Sequence, residues 1–270
     1  MPYATAVDGT RIYCEEAGSG FPLVWCHEFA GSMESWEPQA RFFARRYRVI
    51  TFNARGYPPS DVPSQAARYS QQHNVDDLDA LLRHLEIDRA FIGGLSMGGA
   101  TTLHFGLQHP EVARALIVAS AGSGSDDPPS FRENCRTLAA NLRTLGTDAL
   151  HDYANGPARV QLRRKDPRGF AEFHRLLMAH SAEGSANTME NVQGARPPIY
   201  AFEEALKTLR VPTLILIGDE DEPCINPALF LKRTIPGAGL AVFPNSGHCI
   251  NLEEPGLFNR LVLDFLTAQE

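Results

Sequence analysis

Ser96 lies in a stretch whose residue types could form a covalent catalyst. The sequence Gly94-Leu95-Ser96-Met97-Gly98 places a glycine two positions before and two positions after a serine, and an apolar run at 90–93 precedes it. This pattern fits a nucleophile elbow, in which small residues let a strand and the following helix approach closely enough to expose the serine hydroxyl. In a chain with 22 glycines, the same five residues could also be an ordinary strand-helix turn.

A serine hydroxyl is a weak nucleophile near neutral pH. Catalysis would need a histidine that accepts its proton and a carboxylate that orients the histidine. Two later segments offer these groups: one apolar run ends at Gly218-Asp219-Glu220-Asp221, and another ends at Pro244-Asn245-Ser246-Gly247-His248. Serine, acid and histidine then follow one another in an order that differs from those of chymotrypsin and subtilisin.

Short apolar runs that alternate with helical patterns predict the elements that would hold these residues. Segments 3–7 and 11–14 predict an antiparallel pair joined by an Asp-Gly turn. Further strands are predicted at 23–26, 47–52, 90–93, 115–119, 213–218 and 240–243, and helices at 36–43, 74–85, 97–108, 227–234 and 257–266. Strands that are apolar on both faces and alternate with helices indicate an α/β fold, with a mostly parallel sheet covered by helices on both sides.

The pattern changes between residues 122 and 198. No buried strand is predicted there, and helical segments at 131–145 and 170–180 are separated by Gly, Pro and Asn. We therefore expect a helical insertion over the sheet, before the strand that carries the acid.

Composition limits the classes of protein that this chain could be. Its 270 residues are 43% hydrophobic and 21% charged, which is typical of one globular domain, and the net charge of -7 argues against a nucleic-acid partner. No apolar stretch has the length of a membrane span, and the first residues lack a signal sequence, so we expect a cytoplasmic protein without a membrane partner.

Cofactor and metal sites are not predicted. The five cysteines form no C-x-x-C pair, and the histidines other than His248 lack metal-ligand spacing. The glycines around Ser96 do not match the dinucleotide fingerprint, which argues against a nicotinamide or flavin cofactor. The expected partner is a small-molecule substrate, and we expect a monomer or a homodimer.

The motifs together resemble the α/β-hydrolase fold family over essentially the whole chain. They are Gly94-Leu95-Ser96-Met97-Gly98-Gly99, Gly218-Asp219-Glu220-Asp221, and Ser246-Gly247-His248 followed by Glu253-Glu254-Pro255. The family's acid occupies the last position of a Gly-x-x-Asp pattern, so the resemblance implies a triad of Ser96, Asp221 and His248. Asp219, Glu220 and Glu222 are neighbouring carboxylates that could substitute geometrically. The resemblance also implies a hydrolase core of residues 1–121 and 199–270 with a helical cap, or lid, of residues 122–198.

The loop at His27-Glu28-Phe29 departs from the family, whose loop begins His-Gly. By resemblance, the backbone N–H groups of Phe29 and Met97 would form the oxyanion hole. We expect His27 to organise the loop by hydrogen bonding, and Glu28 to face solvent because an unpaired glutamate is rarely buried. If Glu28 points inward, it would repel anionic substrates or supply a proton-transfer group, which makes His27 and Glu28 possible substrate-site residues.

These residues predict a cofactor-independent serine hydrolase that cleaves a small ester, a lactone or an activated C–C bond. The family contains esterases, enol-lactonases such as 3-oxoadipate enol-lactonase, and C–C bond hydrolases, and the motifs do not separate these activities. A serine rather than an aspartate at the elbow argues against haloalkane dehalogenases and epoxide hydrolases. Two alternatives stay open: a perhydrolase of the haloperoxidase type or an acyltransferase with the same triad, and a ligand-binding receptor on a hydrolase scaffold.

Overall fold

The computed structural model describes residues 2 to 270 and contains one sheet of eight strands. In the order in which they lie side by side, the strands are β1 (Tyr3–Thr5), β2 (Arg11–Ala17), β4 (Arg48–Phe52), β3 (Pro22–Cys26), β5 (Ala90–Leu95), β6 (Ala113–Ala119), β7 (Thr213–Gly218) and β8 (Gly239–Phe243). Only β2 pairs antiparallel, with β1 and β4; all other neighbours are parallel. The mostly parallel α/β sheet is confirmed, and the carboxyl ends of β3 to β8 meet at one edge.

Twelve α-helices accompany the sheet in the described part of the chain, residues 2–270. They are α1 (Glu37–Phe43), α2 (Gln71–His84), α3 (Met97–Gln108), α4 (Pro128–Leu145), α5 (Leu150–Ala154), α6 (Val160–Lys165), α7 (Pro167–Met178), α8 (Ala182–Thr188), α9 (Glu203–Thr208), α10 (Glu222–Thr234), α11 (Ile250–Glu253) and α12 (Pro255–Thr267). Side-chain caps fix several starts: Ser70 accepts from the His73 amide before α2, and Asp127 accepts from the Ser130 amide before α4. No helix among residues 2–270 is both long enough and apolar enough to cross a membrane.

Helices cover both faces of the sheet, as predicted. On one face α2, α3 and α10 pack through a cluster that includes Leu78, Leu103 and Leu231. On the other face α1 and α12 pack around Trp25 and Trp36, whose rings stack with centroids 4.4 Å apart. Each large apolar side chain buried in these layers contributes about 1.5–3 kcal/mol to folding.

A third apolar cluster lies at the carboxyl edge of the strands. Helices α4 to α8, hereafter the inserted helices, contribute side chains such as Leu142, Leu150 and Phe173, and they meet Phe29 and Met97 from the edge of the sheet. The sequence predicted two of these helices; α5, α6 and α8 have only five to seven residues, too few for periodicity to reveal. The division into a core and a cap at residues 122 and 198 stays a prediction.

Candidate active site

Ser96 occupies a strained turn between β5 and α3. Its backbone angles are φ 56° and ψ −109°. Residues other than glycine rarely adopt this region, which costs about 1–3 kcal/mol. A side chain at Gly94 would collide with the backbone of Gly98, and one at Gly98 would collide with the carbonyl of Cys26. Glycines at these two positions let strand and helix approach closely, so the turn has the geometry of a nucleophile elbow rather than of an ordinary strand-helix connection.

The loops after β7 and β8 bring an acid and a histidine together. Nδ1 of His248 lies 2.8 Å from Oδ2 of Asp221, and both residues are buried. A carboxylate only accepts hydrogen bonds, which assigns the imidazole proton to Nδ1 and leaves Nε2 as the basic nitrogen. Burial alone would raise the pKa of Asp221, but His248 and Arg159 lower it, and the net effect is a pKa below the ordinary value. Asp221 is therefore ionised near neutral pH.

The neighbouring carboxylates have other partners or lie outside. Asp219 accepts a hydrogen bond from the Ser246 amide at 3.1 Å, and Glu220 binds Gln161 and Arg164 on the inserted helices. Glu222 is exposed in the first turn of α10. Of the four candidate carboxylates, the structure brings Asp221 to His248.

The His248 loop is held from two sides, and the residues that hold it were not predicted. Glu253 accepts from the amides on either side of the histidine, Gly247 at 2.7 Å and Cys249 at 3.0 Å. The amide of His248 itself donates to the carbonyl of Ala158, just before α6, at 2.7 Å. The one sequence signal for the contacts of Glu253 is its position in the motif after His248. Ala158 binds through its backbone carbonyl, so its residue type gives no signal.

The two predicted oxyanion donors are backbone amides that follow β3 and β5. The amides of Phe29 and Met97 donate to no protein acceptor within residues 2–270. Met97 is the first residue of α3, where a helix leaves its amide free. The ring of Phe29 packs edge-on against Tyr153 from α5, with centroids 5.3 Å apart. Both amides are thus free to bind a developing negative charge.

His27 uses both ring nitrogens to fix the loop after β3. Nδ1 lies 2.7 Å from the carbonyl of Glu28, and Nε2 lies 2.9 Å from the amide of Ala54. The amide must donate, so Nε2 accepts and Nδ1 carries the proton. Burial lowers the pKa of His27 to about 4, so the ring is neutral at physiological pH. The structure gives this histidine the loop-organising position expected for it, without a free nitrogen for substrate.

The expectation that Glu28 faces solvent is wrong. Its side chain is 1% exposed, and Oε2 lies 3.6 Å from Nη2 of Arg159, which enters from the segment before α6. The thiol of Cys249 lies 3.5 Å from Oε1 of the same carboxylate. A buried carboxylate needs a counter-charge, and here it comes from a distant part of the chain that local sequence could not connect to Glu28.

Asp221, Cys224 and His248 also form a group of potential metal ligands, with donor atoms within 4.8 Å of one another. Burial and the neighbouring Asp221 raise the pKa of the Cys224 thiol well above its ordinary value, and its Sγ donates to the carbonyl of Ser120 at 3.3 Å. The donor atoms of this group already have protein partners, because His248 Nδ1 bonds to Asp221 Oδ2 and Cys224 Sγ donates to Ser120.

Known proteins resemble the chain over nearly its full length. A family model described as alpha/beta hydrolase fold matches residues 22–255. A 2-hydroxymuconate semialdehyde hydrolase from Pseudomonas sp. is 30% identical, with 97% of this chain and 92% of the relative covered. A non-heme haloperoxidase from Rhodococcus erythropolis is 27% identical, with 99% and 100% covered.

A solved structure of a thermophilic esterase from Thermogutta terrifontis, with malate bound, superposes with a TM-score of 0.90 at 25% identity and covers 99% of this chain and 98% of its own. The matched region runs from β3 to the start of α12 and includes Ser96, Asp221 and His248. The chain therefore belongs to the alpha/beta hydrolase fold family and is a hydrolase of that type.

Proposed function

We propose that this protein is a cofactor-independent serine hydrolase that cleaves a small ester, a lactone or an activated C–C bond. The observation that carries the proposal is the 2.8 Å bond between His248 Nδ1 and Asp221 Oδ2 at the sheet edge that also holds the strained Ser96. This bond leaves Nε2 of His248 available as the base that a serine nucleophile needs.

The reaction proceeds in two halves. Ser96 Oγ attacks the acyl carbon while His248 Nε2 takes its proton, and the amides of Phe29 and Met97 hold the oxyanion. The bond to the leaving group breaks, and His248 returns the proton to that group. Water then loses a proton to His248 and attacks the acyl-enzyme, and Ser96 recovers its proton as the acid leaves. Asp221 stays ionised and stabilises the imidazolium of His248.

The inserted helices act in this proposal as the cap of residues 122–198. The bond from the His248 amide to the Ala158 carbonyl and the packing of Tyr153 on Phe29 support this role, because both tie the cap to the reacting groups. Side chains of the cap then decide which acyl compound fits.

Transfer of the acyl group to peroxide, as in a perhydrolase of the haloperoxidase type, is the second candidate, and the similarity to the Rhodococcus haloperoxidase favours it. An acyltransferase would pass the same acyl group to an alcohol. The product ratio with water, peroxide and an alcohol as competing acceptors separates the three activities. A receptor that binds without turnover is the weakest alternative, because Ser96, Asp221 and His248 are all present.

The test is turnover of short-chain aryl esters, lactones and ring-fission diketones by the wild type and by Ser96→Ala. We expect the variant to lose at least about 10³-fold in kcat/KM on every substrate that the wild type cleaves. A fluorophosphonate should label Ser96 and fail to label the protein without His248. Undiminished turnover by Ser96→Ala would contradict the mechanism.

The proposal includes a small-molecule substrate, no nucleic-acid or membrane partner, and a cytoplasmic location. The net charge of -7 supports the exclusion of nucleic acid, and five free, buried cysteines fit a reducing compartment.

A further inference from the structure

Arg159 is a buried cation whose hydrogen bonding is incomplete. The residue is 8% exposed, and its Nε has no hydrogen-bond partner among residues 2–270. Nη2 donates to the hydroxyl of Tyr153, and the guanidinium lies over the Tyr153 ring, 3.9 Å from its centroid. Within residues 2–270 it forms an ion pair with Glu28, at 3.6 Å, and its charge also lowers the pKa of Asp221. A buried charged donor without an acceptor is costly, so this N–H is a candidate for binding something that enters the site.

A second buried arginine in the same protein shows what a purely structural role looks like. The guanidinium of Arg55 donates from all three nitrogens: Nε and Nη2 bind Asp77 at 2.7 and 2.6 Å, and Nη1 binds Asp8 at 3.0 Å and the carbonyl of Arg68. Arg55 leaves no nitrogen without an acceptor. The incomplete bonding of Arg159 is therefore not a general feature of buried arginines here.

Arg159 lies between the two loops that the proposed mechanism uses. The carbonyl of Ala158, the residue before Arg159, accepts a hydrogen bond from the His248 amide at 2.7 Å. The Tyr153 ring, over which the Arg159 guanidinium lies, packs against Phe29 in the loop after β3. Glu28, its counter-ion, belongs to that same loop. Arg159 thus contacts the His27-Glu28-Phe29 loop through Glu28 and Tyr153, and it follows the residue that binds the His248 amide.

The charge of the pair decides what this donor can bind. A lone guanidinium selects carboxylates, because it offers positive charge together with paired N–H groups. Here the buried Glu28 compensates the charge, and a substrate carboxylate would place a further anion beside this buried pair. A neutral carbonyl or ether oxygen meets the unpaired N–H without this repulsion.

Building on the proposed function, we propose that Glu28 and Arg159 form a specificity element for uncharged substrates. Arg159 Nε–H donates to a neutral oxygen outside the scissile bond, and Glu28 disfavours substrates that carry a carboxylate at that place. The substrate class is therefore an acyl compound with a second, uncharged carbonyl or ether oxygen.

The test compares kcat/KM for two esters that share the scissile bond and the chain and differ at the far end, a methyl ester in one and a carboxylate in the other: the 4-nitrophenyl ester of monomethyl glutarate and the 4-nitrophenyl monoester of glutaric acid. We expect the wild type to prefer the neutral ester. Glu28→Gln should raise the ratio of anionic to neutral turnover by about tenfold or more, because Arg159 loses its ion-pair partner and one negative charge is removed beside the bound carboxylate. The matched control is Glu37→Gln, an exposed glutamate on α1, which should leave the ratio unchanged.

Arg159→Met should lower kcat/KM for the neutral diester by about tenfold. It should affect 4-nitrophenyl valerate less, since that ester lacks the second carbonyl. This contrast is one that a merely structural role would not produce. Arg163→Met, an exposed arginine on α6, is the matched control. Circular dichroism melting verifies folding, and Arg159→Lys, which keeps the charge beside Glu28 but lacks Nε–H, serves if the methionine variant does not fold.

An unchanged charge ratio in folded Glu28→Gln would overturn the specificity element, as would equal losses by Arg159→Met on the diester and the valerate. Both results leave the proposed hydrolase intact provided that turnover still depends on Ser96. If the wild type cleaves none of these esters in a Ser96-dependent way, the proposed function itself fails and the specificity element fails with it.

Discussion

His27 and His248 follow strands of the same sheet at the same edge, yet their surroundings differ in one decisive respect. Both are buried, and both have Nδ1 bonded to an oxygen, the carbonyl of Glu28 for His27 and the carboxylate of Asp221 for His248. Nε2 of His27 is occupied by the Ala54 amide, whereas no protein group within residues 2–270 binds Nε2 of His248. Burial and position alone would not suit a histidine to act as a base; the role proposed for His248 also needs an unoccupied nitrogen and an ionised partner.

The largest effect should come from His248→Gln, which removes the base and keeps most of the volume. We expect kcat/KM to fall by about 10⁵-fold or more, while the free energy of unfolding changes by no more than about 1 kcal/mol. Steady-state kinetics and urea unfolding measure the two quantities. A loss of less than tenfold would place the base elsewhere.

Asp221→Asn should follow, with a loss of about 10⁴-fold, because an amide can donate to Nδ1 and stabilise the wrong tautomer. Asp219→Asn is the matched control two residues away; it keeps an oxygen for the Ser246 amide and should change turnover by less than about threefold. Equal losses in the two variants would mean that the loop as a whole, and not Asp221, supports His248.

His27→Phe should instead act mainly on stability. It leaves the Ala54 amide and the Glu28 carbonyl without their partner, and each buried unsatisfied group costs about 1–3 kcal/mol. We expect the free energy of unfolding to fall by about 2–4 kcal/mol and kcat/KM by less than about 10²-fold. A loss of turnover as large as that of His248→Gln, in a folded protein, would give His27 a catalytic role.

The smallest effect, taken over one pH unit, is a pH dependence of stability. The pKa of His27 is about 4 in the folded protein and near 6.5 when the chain is unfolded, so between these values the unfolded chain binds the extra proton. The contribution of His27 to the free energy of unfolding is therefore fully present above pH 6.5 and is lost as pH falls towards 4. The slope from this residue is at most about 1.4 kcal/mol per pH unit.

His104, whose pKa is also lowered to about 4 by burial, contributes in the same direction. Urea unfolding at several pH values should give a flatter profile for His27→Gln than for the wild type. Identical profiles would mean that His27 takes up its proton equally in both states.

The sheet and the elbow could be predicted from sequence because their signals are local. Buried strands such as β7, predicted at 213–218 and observed at Thr213–Gly218, are continuous apolar runs bounded by polar turns. Helix ends were predicted less accurately than strands. The helix α10 begins at Glu222, five residues before the predicted start at Pro227, because the helix tolerates that proline inside it.

The features that the sequence did not predict depend on contacts between distant segments of the chain. The buried carboxylate of Glu28 pairs with Arg159, and the amide of His248 donates to the carbonyl of Ala158. The second contact is made by the backbone, so the residue type at position 158 gives no sign of it. Neither pairing has a periodic or local signature. A charged residue in an unexpected loop position was visible in the sequence, but its counter-charge was not.

The stacked pair of Trp25 and Trp36 has a practical consequence for spectroscopy. These are the only two tryptophans of the chain, and both lie in the apolar layer between the sheet and α1 and α12, on neither the inserted helices nor the loops that carry His27 and His248. Intrinsic tryptophan fluorescence should therefore follow global unfolding and stay nearly silent while substrate binds. A test for motion of the inserted helices would need a reporter placed on them, and the tryptophan signal would then serve as its internal reference.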